Sequence, residues 1–176
     1  EDPFVLISRK SNKNGGCHTW NRGADENGMC ANFIENEEIM ILNSNVQGIN
    51  AISHIEVGGS CPFFWSQYPT MHLHRPIHVG PQEENERRFN LHFDHLFETY
   101  FGDKNNKSLV IISLLGNKGK EVKLNTIYQE LAEKRGIEFK HINFNSLMKK
   151  EGGLTDEVEK LKDELDACIV ENGVVI

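Results

Sequence analysis

Seven consecutive residues, Leu109-Val110-Ile111-Ile112-Ser113-Leu114-Leu115, carry one polar side chain among them. No other stretch limits the folds open to this chain so sharply. An almost unbroken apolar run of strand length is expected where a strand is covered on both faces. The sequence around it supplies the cover. Phe89, Phe93, Leu96, Phe97 and Tyr100 recur at helical spacing and predict an amphipathic helix from about Gln82 to Tyr100. Leu124, Ile127, Tyr128 and Leu131 define a second helix, which Gly136 ends as a C′ residue. Ile137 to Phe144 then reads as a strand, so the unit is β-α-β and its two strands should be parallel with a right-handed crossover. Leu154, Val158, Leu161 and Leu165 mark a further helix, and Ala167 to Ile176 a last strand, expected beside the 109–115 run.

Upstream of Pro81 the pattern changes to short apolar segments separated by turns. Phe4 to Ser8 has strand length, and a polar Gly loop follows from Ser11 to Gly16. His18 to Arg22, Met29 to Leu42 and Val46 to Val57 read as strands. Asn27-Gly28 forms the turn between the first two. Met71 to His78 is an edge strand, because Pro76 excludes a central one. The expected fold is α/β: an antiparallel β meander in the N-terminal half (1–80) joined to a mixed sheet with β-α-β crossovers and covering helices (81–176). With 176 residues, one domain without a linker is expected.

Composition excludes several classes. At 38% hydrophobic and 26% charged the chain has ordinary globular proportions. A net charge of −7 is the wrong sign for a general nucleic-acid binder and gives no help to a membrane-surface model. No apolar run reaches the ~20 residues of a membrane span. The chain opens at Glu1 without a methionine and runs directly into Phe4-Val5-Leu6-Ile7, which reads as an excised or processed piece. Its four cysteines (Cys17, Cys30, Cys61 and Cys168) form no CxxC pair, so reduced thiols are expected and zinc is not.

Chemistry gathers around Gly58-Gly59-Ser60-Cys61-Pro62-Phe63-Phe64-Trp65-Ser66-Gln67. Glycines allow close backbone approach, proline fixes φ, and three aromatics in a row demand burial. By itself the stretch reads first as a Gly-Pro turn ahead of a buried aromatic cluster.

In sequence order, the pieces resemble the Sac family of phosphoinositide phosphatases, the synaptojanin-like lipid phosphatases. Val5-Leu6-Ile7-Ser8-Arg9-Lys10-Ser11 and Trp20-Asn21-Arg22-Gly23-Ala24-Asp25 resemble the start of that family's catalytic part. Ala31-Asn32-Phe33-Ile34-Glu35-Asn36-Glu37 is similar to its Ala-Asn-Phe-Val-Glu-Thr-Glu. Gly59-Ser60-Cys61-Pro62-Phe63-Phe64-Trp65 is similar to its Gly-Ser-Val-Pro-Leu-Phe-Trp. Phe89-Asn90-Leu91-His92-Phe93 and Ser113-Leu114-Leu115-Gly116 resemble its later segments. The chain departs from the pattern at Gly58, where the family has Arg, and at Asn143-Phe144-Asn145, where many members have Asp-Phe-His. The family's nucleophile lies in a Cys-x5-Arg loop. Cys17 precedes Arg22 by only four intervening residues, and no other cysteine has Arg at the required place. Gly173-Val174-Val175-Ile176 resembles the strand that leads into that loop.

The resemblance implies a phosphatidylinositol phosphate phosphatase whose cysteine nucleophile lies beyond residue 176, needing no metal or other cofactor. It also implies that the 176-residue chain is inactive as it stands. The implied partners are phosphoinositide lipids at a membrane surface, with a cytoplasmic, membrane-peripheral location and no nucleic acid. An oligomer or partner segment is expected over the sheet. The implied border of the substrate site is Asn21, Arg22, Asn32, Glu35, Gly59, Ser60 and Trp65. Other readings stay open at this point. One is a non-catalytic Sac-like lipid- or partner-binding module, and another is a histidine metal-binding α/β domain. Asn21 and Arg22 could line phosphate or end a solvated strand. Glu35 and Glu37 share a strand face and could do acid–base work, orient an Arg, or simply be solvated. His72, His74 and His78 alternate as strand ligands would, but Pro76 interrupts them. His92 and His95, one helical turn apart, are better suited to packing or capping than to ligation.

Overall fold

In the computed structural model, residues 3–15, 21–42, 50–68, 76–102, 109–149, 155 and 159–160 are described. Strands β1 (Phe4–Lys10), β2 (Ile34–Leu42) and β3 (Asn50–Gly58) form an antiparallel sheet in the order β1-β2-β3. Phe4 lies opposite Met40 and Arg9 opposite Glu35; Ile34 lies opposite Gly58. β2 starts five residues later than the sequence pattern suggests. Asn32 takes a left-handed backbone (φ 58°), which breaks the extended run before Ile34. The strand expected at 18–22 is corrected at its described end, because Asn21 and Arg22 belong to no strand. The turn expected at 24–28 is present: Ala24 and Cys30 form an isolated antiparallel bridge, and Asp25 Oδ1 accepts from the amides of Asn27 and Met29.

A two-residue ladder, β4 (Trp65–Ser66) with β5 (His78–Val79), leads into helix α1 (Gln82–Tyr100). The strand expected at 71–78 is described only from Pro76 onward, and its paired part is β5. Helix α1 has the bounds its aromatic spacing predicts. Glu83 and Glu84 in its first turn suit the positive end of the helix dipole. Strand β6 (Val110–Ser113), helix α2 (Glu121–Arg135) and strand β7 (Glu138–His141) form the β-α-β unit, with β6 and β7 parallel. Gly136 ends α2 at φ 74°. Its amide reaches Glu133 O and that of Ile137 reaches Ala132 O, the paired bonds of a Schellman cap. The strand expected to run to Phe144 stops at His141, where the amide of Ile142 donates to Ser113 O. A single helical turn, α3 (Phe144–Leu147), follows. Of the helix expected at 154–165 only residues 155, 159 and 160 are described, all helical, and the expected strand at 167–176 lies outside the described residues.

The core is aromatic. Phe89, Phe93 and Phe97 of α1 stack in succession, and Tyr128 of α2 meets Phe63, Phe89 and Phe139 edge-on. Phe63, Phe89 and Leu124 are 0–1% exposed. Each such side chain contributes about 1.5–3 kcal/mol through burial. β1 has no comparable cover: Phe4 and Leu6 are 57% and 56% exposed. Among the described residues, no helix is long and apolar enough to cross a membrane.

Candidate functional site

The glycine-rich bend that closes β3 is held by two segments distant in sequence. The amide of Ser60 donates to Ala31 O at 2.9 Å, and the Ser60 hydroxyl accepts from the amide of Gly23 at 2.9 Å. The amide of Ala24 then reaches Phe63 O, and that of Ala31 reaches Gly23 O. Residues 22–24, 30–32 and 59–65 are therefore braided through backbone bonds. Gly23 is obligatory at the crossing. Its φ is +71°, and a Cβ there would lie 2.3 Å from Phe63 O and 2.9 Å from Trp65 Cδ1.

Asn14 ties down the outer side of the braid. Its side-chain amide donates to Met29 O and its backbone carbonyl accepts from the amide of Asn32. Its side-chain oxygen accepts from the amide group of Asn21 at 2.9 Å. Among the described residues, the Arg22 guanidinium bonds only the neighbouring carbonyl of Asn21. Trp65 is 9% exposed and backs the crossing, and its Nε1 has no acceptor among the described residues.

From the other side, helix α1 grips the 24–28 turn by its carbonyls. Arg88 reaches Ala24 O at 2.7 Å and Arg87 reaches Glu26 O at 3.0 Å. His95 Nε2 bonds Asn27 O, and His92 Nδ1 bonds Gly28 O. Arg88 also lies over the Phe64 ring at 4.1 Å and shares Glu84 with Arg87, and the two guanidinium groups hold the Glu84 carboxyl down to about 2. Because His92 Nδ1 must carry the proton given to Gly28 O, Nε2 is left as an acceptor, and the Cys30 sulfur lies 3.4 Å from Nδ1 and 3.6 Å from Nε2. Burial brings the His92 imidazole down to about 4, against the Gly28 bond and with help from His95 and Arg135.

A cavity of about 620 Å³ opens beside the bend. Gly59, Ser60 and Cys61 of the bend, Leu114 and Leu115 after β6, and His92 and Phe93 of α1 all line it. No described cysteine is poised to attack there. Burial drives the Cys30 thiol well above its ordinary range and pushes Cys61 up to about 12, so both are neutral at physiological pH. Among the described residues, no three His, Cys, Asp or Glu side chains could hold a metal ion. His78 sits in β5 opposite Ser66, whereas His72 and His74 lie outside the described residues.

The expected border residues therefore divide. Gly59 and Ser60 line the cavity, Arg22, Asn32 and Trp65 belong to the braided segments, and Asn21 precedes them, bonded to Asn14. Glu35 belongs to a separate group. Arg9 directs Nη1 to Glu35 and Nη2 to Glu37, each at 2.7 Å; the Tyr100 hydroxyl donates to the second oxygen of Glu35 and the Ser53 hydroxyl to that of Glu37. The two carboxylates thus orient an arginine, and Arg9 holds the Glu37 carboxyl below its usual value. Sequence reading missed Arg9, Tyr100 and Asn14. The one available signal was the pair of carboxylates two apart on a strand, which calls for a cation without saying which.

Residues 2–149 match the SacI homology domain. The chain is 31% identical over 151 residues to the phosphatidylinositol-3-phosphatase SAC1 of Drosophila melanogaster, which covers 84% of this chain and 24% of that protein. It is 34% identical over 117 residues to the phosphatidylinositide phosphatase SAC2 of Danio rerio, covering 66% of this chain and 10% of the relative. With the phosphoinositide phosphatase SAC7 of Arabidopsis thaliana it shares 28% identity, covering 81% of this chain and 22% of the relative. The chain thus spans a quarter or less of the length of these curated relatives.

Proposed function

Because the chain belongs to the family of the SacI homology domain, we propose that it forms a substrate-facing wall of a phosphoinositide phosphatase. The observation that carries this reading is the match over residues 2–149 to a family whose curated relatives are named as such phosphatases. The braided bend supports it. Gly59 and Ser60 bring backbone to the edge of a cavity large enough for a headgroup. Arg22, bonded only to a neighbouring carbonyl among the described residues, is a forked donor for phosphate oxygens.

The nucleophile in this reading is a cysteine that these 176 residues do not contain. Its thiolate forms a bond to phosphorus as the bond from phosphorus to the inositol oxygen breaks. A carboxylic acid protonates that oxygen, and water then releases phosphate from sulfur. The Arg of the same loop and its amides stabilise the charge on the transferring group. Cys30 and Cys61, held neutral by burial, take no part.

Two measurements test the reading. The 176-residue chain alone should release no phosphate from a short-chain phosphoinositide, and release above a buffer control would overturn that. In the complete protein carrying a Cys-x5-Arg loop, Arg22→Ala should lower turnover or affinity by ~10-fold or more with unchanged melting temperature. Normal kinetics would remove Arg22 from the site. A coding sequence with no Cys-x5-Arg would leave the same wall as a lipid- or partner-binding module.

A further inference from the structure

We propose that the carboxyl end of the β6–β7 sheet is a docking face for an anionic lipid bilayer. This rests on the phosphoinositide reading and deepens it by naming the face that meets the membrane. Three large apolar side chains stand out from the chain there: Leu114 is 57% exposed, Phe144 41% and Met148 60%. They are neighbours by backbone geometry. Ile142 N donates to Ser113 O at 2.8 Å, His141 Nε2 bonds Leu115 O at 2.8 Å, and Met148 N closes a turn onto Phe144 O at 3.1 Å. Exposed Lys118 and Lys149 lie on the connections that leave the same strand ends. Glu121, which opens α2 on the connection that carries Lys118, turns its carboxylate back onto the amide of Gly116 at 2.6 Å.

Apolar side chains on strand-end loops, flanked by lysines, suit the boundary between headgroups and acyl chains. The apolar groups enter the boundary while the ammonium groups remain among the phosphates. A net charge of −7 does not by itself prevent contact, since charges more than ~8 Å from the bilayer are largely screened at physiological ionic strength. A second exposed apolar patch among the described residues lacks this character. Phe4, Leu6, Met40 and Ile52 share a sheet face on which Glu38 lies opposite Leu6. Position adds a further argument: Leu114 and Leu115 line the same cavity as Gly59 and Ser60. A bilayer meeting this end would place lipid headgroups at the mouth of the candidate site.

Flotation of the full chain with vesicles tests the proposal without requiring turnover. The chain should float with phosphatidylcholine vesicles containing about a quarter phosphatidylserine, and not with pure phosphatidylcholine. Leu114→Ser with Met148→Ser should weaken binding ~10-fold or more. Lys118→Gln and Lys149→Gln should weaken it about five-fold per lysine. Phe4→Ser with Leu6→Ser should bind as wild type. Melting curves identify any variant that fails to fold, and the exposed lysine variants then decide the matter. Absence of flotation, equal flotation with pure phosphatidylcholine, full binding by the lysine and Leu114/Met148 variants, or a loss that follows Phe4 and Leu6 would each overturn the proposal. A chain that floats as expected while Arg22→Ala leaves turnover of the complete protein normal would keep the docking face and remove Arg22 from the substrate site.

Discussion

The three-stranded sheet and the braid beneath it are built on opposite terms. The sheet has long, regular ladders, with seven paired positions between β1 and β2 and nine between β2 and β3. Yet the side chains of β1 stand largely in water and those of β2 are mostly half-buried, and the polar cluster is open to water at Arg9, which is 50% exposed. The braid has one isolated bridge and a two-residue ladder, yet it is packed on Phe63, Trp65 and the α1 aromatics. Ladder length therefore sets shape, whereas burial sets stability, because a hydrogen bond made in water is nearly balanced by the one it replaces.

The contrast is broken most severely at Phe63. Phe63→Ala, at a fully buried side chain, should cost ~3–5 kcal/mol in chemical denaturation. Leu6→Ala, at a residue 56% exposed, should cost less than about 1 kcal/mol. Comparable losses at the two positions would abolish the distinction.

Acid should act on the braid next. His92 is held neutral in the fold, down to about 4 against 6.5 for an ordinary imidazole. The unfolded chain takes up the proton first as pH falls. Stability is then complete above about pH 6.5, declines toward pH 4 and levels below it, a loss on the order of 3 kcal/mol from this group. A His92→Gln variant should show a flatter profile over that window, and an unchanged slope would mean that His92 does not govern it.

Gly23→Ala should cost roughly 2–3 kcal/mol through its positive φ, with the clash on Phe63 O in addition. Gly58→Ala makes a useful partner, because its Cβ would meet only the Ile34 Cγ2 at 3.3 Å and its effect should be small. The smallest change is expected at Arg9→Met, whose melting temperature should match wild type within error, since exposed ion pairs contribute little. A clear drop there would show that the sheet depends on its charge cluster after all.

The same contrast explains what was legible in the sequence. Helix α1 could be read to its ends because one side of it faces aromatic core and leaves a 3.6-residue signature. The end of α2 was readable at Gly136 because a left-handed cap has a residue of its own. The bend itself was visible in its glycines and aromatics. Its partners were not, since Gly23, Ala31 and Ser60 meet through backbone groups that every residue carries. The late start of β2 had only Asn32 to announce it, and asparagine tolerates a left-handed backbone without requiring it. Arg9 was hidden for another reason: its pairing with Glu35 and Glu37 depends on strand register, which local pattern leaves open.

The four carbonyls of the 24–28 turn that α1 holds have a consequence for how the molecule opens. Glu26 and Asn27 are exposed at a polar loop tip, the kind of place where proteases cut. A protease needs several residues in extended form, and the bonds from Arg87, Arg88, His92 and His95 prevent that while the helix stays in place. Nicking at this turn and hydrogen exchange at the amide of Met29, itself bonded to Asp25, should therefore report one shared opening event, the departure of α1 from the turn.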